Sequence, residues 1–148
     1  MDDVRAGDGP EGRPETKMWL AVRRDLGLSA YKLAAQSGHA FGRLYLAAAR
    51  DAPEAFEAYL ADDEPKIVVY VKGEAALLRV EREACGRGIP ARLIRDAGRS
   101  EIPPDTATVC AFGPCTREAL PRYLGSLQVA RERFREDAEA AGAVPPSG

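Results

Sequence analysis

What most constrains this chain is the period of its apolar residues, which switches between two and 3.6 several times along the middle of the sequence. Met18-Trp19-Leu20-Ala21-Val22 is a short apolar run of the kind a buried strand carries. Ser29 follows a turn and can cap a long Ala- and Leu-rich helix running to about residue 50. Pro53 suits the start of a second, short helix, which Asp62-Asp63-Glu64-Pro65 ends. Residues 66–71 are β-branched and strand-like, residues 74–87 are helical, and Gly88 supplies the left-handed residue that closes a helix. Residues 89–94 and 106–112 read as strands, 116–124 as a helix, and 127–141 as a charged helix that extends or follows it.

Strands alternating with helices imply a sheet covered on both faces. The stretch between the third and fourth strands, residues 95–105, holds no helix for a right-handed crossover, so at least one strand is antiparallel. The expected fold is a single α/β domain: a four-stranded mixed sheet with helices on both faces, its ligand in the crevice outside the strand ends. A length of 148 residues fits one domain with a core that needs no metal or disulfide staple.

Composition bounds function next. Residues 1–16 hold five acids against two arginines and almost nothing apolar, and are expected to be a disordered acidic tail. Residues 142–148 have the same character, and 126–141 form the charged helix. The body, 17–125, holds 16 basic and 14 acidic residues, a net of +2 against −2 for the whole chain. That excludes a strongly basic, non-specific nucleic-acid binder but allows a small phosphate site if the cations converge. The apolar runs are far short of the roughly 20 residues of a membrane span, and the N-terminus has no signal-peptide pattern, so a cytoplasmic protein without membrane contact is expected. Cys85, Cys110 and Cys115 form no paired pattern. Cys85 and Cys110 read as packing residues, and Cys115 as a thiol at a helix start with a lowered pKa. One histidine and scattered acids lack ligand spacing, so neither metal nor cofactor is expected.

Two segments carry chemistry. On the first helix Lys32, Gln36, His39 and Arg43 fall at i, i+4, i+7 and i+11, lining one stripe with a cation, an amide and the only imidazole of the chain. Directly after the third strand, Asp96-Ala97-Gly98-Arg99-Ser100 offers a carboxylate at a strand end, a planar cation suited to phosphate, and a hydroxyl. Each has a bland counterpart. Lys32 could be a solvated helix charge, His39 a structural imidazole, and Asp96 and Ser100 turn or cap residues. Arg23, Arg50, Arg79 and Arg82 read as surface charge.

Together the two blocks resemble the type 2 peptidyl-tRNA hydrolases. The matching residues are Lys17-Met18, Asp25-Leu26-Gly27-Leu28, Lys32-Leu33-Ala34-Ala35-Gln36 with His39-Ala40, Asp96 to Ser100, Thr108-Val109 and Gly113-Pro114, in order and spacing from Lys17 to Leu124. Neither block alone specifies a family. The chain departs from the pattern at Ala30-Tyr31, where a glycine commonly precedes the lysine, at Ser100 for threonine, at Glu101 for glutamine, and at Asp105, where glycine is usual.

The resemblance, taken as that of a bacterial homologue, implies metal-independent hydrolysis of the ester joining a peptide or N-blocked amino acid to the 3′ end of tRNA. It implies Asp96 orienting or deprotonating water, directly or through Ser100. Lys32 stabilises the oxyanion or neutralises the terminal phosphate, and Gln36 and His39 arrange the groups around it, with His39 a competing candidate for the base. Arg99, Lys17 and Arg24 are the expected phosphate contacts. Similar proteins form dimers, so a homodimer is among the expectations. The alternatives are a repurposed enzyme of this fold acting on another tRNA-linked or small acyl substrate, and a non-catalytic tRNA- or protein-binding module.

Overall fold

A computed structural model describes residues 9–98 and 102–131, except for the side chain of Glu11. Among the described residues five strands, not four, form one mixed sheet: β1 (Thr16–Arg23), β2 (Lys66–Val71), β3 (Ala91–Arg95), β4 (Ala107–Thr116) and β5 (Gln128–Val129), in the order β3-β4-β1-β2-β5. β1 and β2 are parallel, and β4 is antiparallel to both β1 and β3, as the missing crossover helix requires. β5 adds antiparallel to β2 through Val69 and Tyr70, so the charged helix expected from residue 126 does not begin there. Two residues without a pattern of their own are too short a signal to read as a strand.

The helices are α1 (Ala30–Asp51), α2 (Pro53–Ala61), α3 (Glu74–Gly86) and the single turn α4 (Arg122–Gly125). Where one helix was expected over 116–124, β4 continues to Thr116, a 3-10 turn spans Arg117–Ala119, and α4 begins only after Pro121, which cannot sit inside a helix. Gly88, at φ +71, closes the turn after α3 as expected.

Strand alternation divides the core in two. Met18, Leu20 and Val22 of β1 pack with Ala40, Leu44 and Ala48 of α1 and Tyr59 of α2. Trp19 and Ala21 face the other way, toward Leu77, Val80 and Ala84 of α3 and Leu120 and Leu124. Trp19 also stacks on Phe112, its cross-strand partner, at 5.6 Å between ring centres.

The chain joins the fold earlier than its composition indicates. Pro10–Gly12 form a 3-10 turn, and the Arg13 guanidinium grips both oxygens of Asp62 at 2.8 Å, where an unstructured tail was expected. Composition misses such anchoring because it rests on one ion pair rather than on buried apolar surface. The rest of the expected tails and of the charged helix, residues 1–8 and 132–148, lies outside the described residues.

Candidate active site

β3 runs in the same sense as β1 and β2, since β1 and β3 are both antiparallel to β4 and β2 is parallel to β1, so three strands end at one edge of the sheet. β4 starts and α1 begins at that same edge. The Ser29 Oγ accepts the Lys32 backbone N–H at 3.1 Å, capping α1 as its sequence suggests. Capping fixes the first turn of the helix, and with it the direction in which Lys32 leaves the backbone.

Lys32 and Asp96, 64 residues apart, meet at this edge: Lys32 Nζ donates to Asp96 Oδ1. The other carboxylate oxygen accepts the Gly98 N–H at 2.7 Å. Gly98 is required there twice over. Its φ is +77, and a Cβ would lie 2.6 Å from the Cβ of Pro104. Asp105, also left-handed at φ +64, closes the turn by donating its N–H to the Asp96 carbonyl at 2.7 Å. That conformation explains why glycine is usual at this place in the pattern; aspartate is one of the few side-chain-bearing residues that tolerate it.

Beneath the pair lies a buried polar contact. A register shift between Ile94 and Arg95 makes a bulge in β4. Alternation would send Thr108 and Val109 to opposite faces, yet Val109 packs with the α1 cluster and the Thr108 Oγ1 accepts from Gln36 of α1 at 2.8 Å. The same hydroxyl lies 3.3 Å from the Ile94 carbonyl, two residues before Asp96. Gln36 therefore ties α1 to the strands that carry the carboxylate.

The electrostatics follow from these contacts. The Lys32 hydrogen bond lowers the Asp96 carboxyl below its ordinary value of 3.8; burial pushes the other way, and the Gly98 N–H adds to the lowering. At neutral pH the carboxylate is ionised. The Lys32 side chain is 16% exposed and that of Asp96 only 3%. Lys32 is thus partly covered and Asp96 almost wholly so, which the carboxylate tolerates because each of its oxygens has a donor. Among the described residues, one lysine contact leaves two ammonium N–H groups and the remaining carboxylate lone pairs uncommitted. Such a pair can donate to a developing oxyanion while aligning a polar nucleophile.

The remaining expected residues scatter. His39 and Arg43 are exposed on α1, while Gln36 is buried, because the stripe lies along the margin of the helix's buried face. Arg24 is exposed at the site edge, its guanidinium 5.2 Å from the centre of the Tyr70 ring. Lys17 is not brought to the pair. It sits at the opposite end of β1, roughly 20 Å from Arg23 at 3.3 Å per strand residue, and pairs with Glu15 at 3.7 Å. Arg99 and Ser100 lie outside the described residues.

Sequence reasoning missed two groups and misread others. Arg23 is buried, not surface charge: it donates to the Ala107 carbonyl at 3.0 Å and forks onto Asp25 at 2.7 and 3.1 Å, bracing the turn before α1 against the start of β4. Thr108 was legible only as part of the pattern. Cys115 lies in β4 rather than at a helix start, and burial pushes its thiol up to about 12. Cys85 is exposed rather than packed, whereas Cys110 is fully buried. Among the described residues no helix is long and apolar enough to cross a membrane.

The family model for "Peptidyl-tRNA hydrolase PTH2" matches residues 16–130. The chain is 36% identical over 113 residues to a peptidyl-tRNA hydrolase of Methanocaldococcus jannaschii, covering 76% of this chain and 98% of the relative. It is 39% identical over 113 residues to a peptidyl-tRNA hydrolase of Thermococcus sibiricus, covering 76% and 96%. Identity to "Peptidyl-tRNA hydrolase 2, mitochondrial" of Mus musculus is 35% over 115 residues, covering 78% and 64%. These relatives are archaeal and eukaryotic and give no support to a specifically bacterial homologue.

Proposed function

This chain belongs to the peptidyl-tRNA hydrolase PTH2 family, and from that premise we propose how its site works. It is a hydrolase of the ester between a peptide, or an N-blocked amino acid, and tRNA, freeing the tRNA for reuse. The observation that carries the mechanism is the Lys32–Asp96 contact at the carboxyl edge of the sheet.

The ester carbonyl approaches the partly exposed Lys32, whose ammonium donates to the oxygen as negative charge builds there. Asp96 keeps that ammonium charged and aimed. A lone pair of Asp96 left open by its two donors orients the attacking water at the rim of the pair, takes its proton as the new carbon–oxygen bond forms, and returns that proton to the 3′-ribose oxygen as the ester bond breaks and the tRNA leaves. Gln36 and Thr108 hold the two elements in register. His39, the competing base, sits seven residues along α1 from Lys32, about 10 Å along the helix axis, and stands second to Asp96 in this proposal because Asp96 touches Lys32 directly. Ser100 as a relay hydroxyl, and Arg99 and Arg24 as phosphate contacts, complete the proposal. A cytoplasmic setting and a homodimer belong to it as well, and the chemistry depends on neither.

The test compares deacylation of N-acetyl-aminoacyl-tRNA, free aminoacyl-tRNA and a small amino-acid ester by the full chain. Rapid cleavage of the blocked tRNA alone is the expected result. Tight tRNA binding without turnover would replace the hydrolase by a binding module, and cleavage of the small ester alone would point to a repurposed enzyme.

A further inference from the structure

The body's small positive charge leaves open whether its cations converge, and the fold answers this. α1 holds Lys32, Arg43 and Arg50 and no acid before its last residue, Asp51; β3 holds Arg92 and Arg95 and no acid. These two neighbouring elements carry five cations against one anion in a chain of net charge −2. α3, on the other face of the sheet, holds Arg79 and Arg82 against Glu74, Glu81 and Glu83.

Geometry lines the cations up. Arg43 is three helical turns beyond Lys32, within about 20° of the same side and roughly 16 Å along the axis. Arg92 is four residues before Asp96, on the same face of the strand and about 13 Å from it. α1 starts where β3 ends, so both arginines lie in the same direction from the Lys32–Asp96 pair. Arg92 reaches the far end of α1, close enough to Asp51 to help lower its carboxyl, itself held mainly by Arg50. Arg43 is exposed and Arg92 half-buried; Arg92 Nη1 donates to the Ala91 carbonyl at 2.7 Å, and neither arginine makes a salt bridge among the described residues. β3 is an edge strand, and Ala35, Gly38 and Gly42, all exposed on α1, keep the neighbouring surface low.

We infer that the margin between α1 and β3 is a phosphate track, on which the tRNA acceptor stem lies along Arg43 and Arg92 while its 3′ end enters the Lys32–Asp96 pair. His39, between Lys32 and Arg43, adds a hydrogen-bonding group to the track. The inference rests on the hydrolase function and adds where the body of the substrate sits.

Arg43→Gln, Arg92→Gln and the double variant test it against Arg82→Gln on α3, using whole N-acetyl-aminoacyl-tRNA and N-acetyl-aminoacyl-adenosine, which has no stem. Selectivity, the ratio of kcat/KM for the whole over the short substrate, should fall about 3–10-fold per track arginine. The slope of log kcat/KM against log salt should become shallower by about 0.7–0.9 for each. Arg82→Gln should change neither. Wild-type selectivity and slope in the double variant would overturn the track, as would an equal loss in Arg82→Gln. If the wild type cleaves neither substrate, the hydrolase function fails instead. The track is then judged by the salt slope of uncharged-tRNA binding, where the double variant must show the same shallower dependence.

Discussion

Two ion pairs sit at opposite edges of the sheet and share much of their build. In each, a covered aspartate meets a partly exposed cation and a backbone N–H: Asp96 with Lys32 and Gly98, Asp62 with Arg13 and Thr16. Both carboxyls are lowered below 3.8. They differ in the cation. The Arg13 fork donates to both Asp62 oxygens at 2.8 Å, and the Thr16 N–H adds a third bond, so the carboxylate is close to saturated. Among the described residues, Lys32 meets one oxygen of Asp96 and keeps two N–H groups in hand. The first pair is a staple that fastens the N-terminal segment to the end of α2. The second has valences to offer a substrate.

The sharpest way to break this contrast is to exchange the cation. Lys32→Arg keeps the charge but gives Asp96 a fork, and the turnover rate should fall about 100-fold, the lower end of what losing a donor to an oxyanion costs. Wild-type rates measured with blocked aminoacyl-tRNA would mean that the kind of cation is immaterial. Arg13→Ala should act on the other side of the comparison. It leaves a buried carboxylate with one donor, costing about 2 kcal/mol and roughly 10 °C in Tm by calorimetry, with activity per folded molecule unchanged. A smaller effect follows from pH. Burial raises the Asp62 carboxyl, and Arg13 and Thr16 together outweigh it, so the folded value lies below the unfolded one. The stabilisation is then complete above about 3.8 and lost as pH falls through the folded value. The stability gap between wild type and Arg13→Ala should be widest near neutral pH and close below about pH 4 in denaturant titrations.

The sequence made the repeating units legible where many residues vote together. The apolar run in β1, the Ser29 cap, the Pro53 start and the Gly88 stop are all where the pattern indicates, because each rests on a local preference. What escaped rests on single tertiary contacts. β5 has two residues and exists because β2 offers an open edge. β4 runs past Gly113-Pro114, which punctuates a sequence, because Lys17 and Thr16 still have Cys115 and Thr116 to pair with. Arg23 follows an apolar strand and so reads as its solvent-facing end, yet it meets a carbonyl and a carboxylate that only folding brings near. Within the site, the helical stripe and the carboxylate after β3 were readable as residue types at set positions. The β4 bulge that turns Thr108 toward Gln36 has no signature in residue order, and the covering of Asp96 depends on which donors reach it.

The most direct measurement is single-turnover cleavage of N-acetyl-aminoacyl-tRNA by Lys32→Ala, Asp96→Asn and the double variant, each shown by circular dichroism to be folded. If the ammonium and carboxylate act as one unit, each single variant loses about 10²–10³ in rate, and the double loses little more than the worse of the two. Rates near wild type in both single variants would contradict the assignment of the chemistry to this pair.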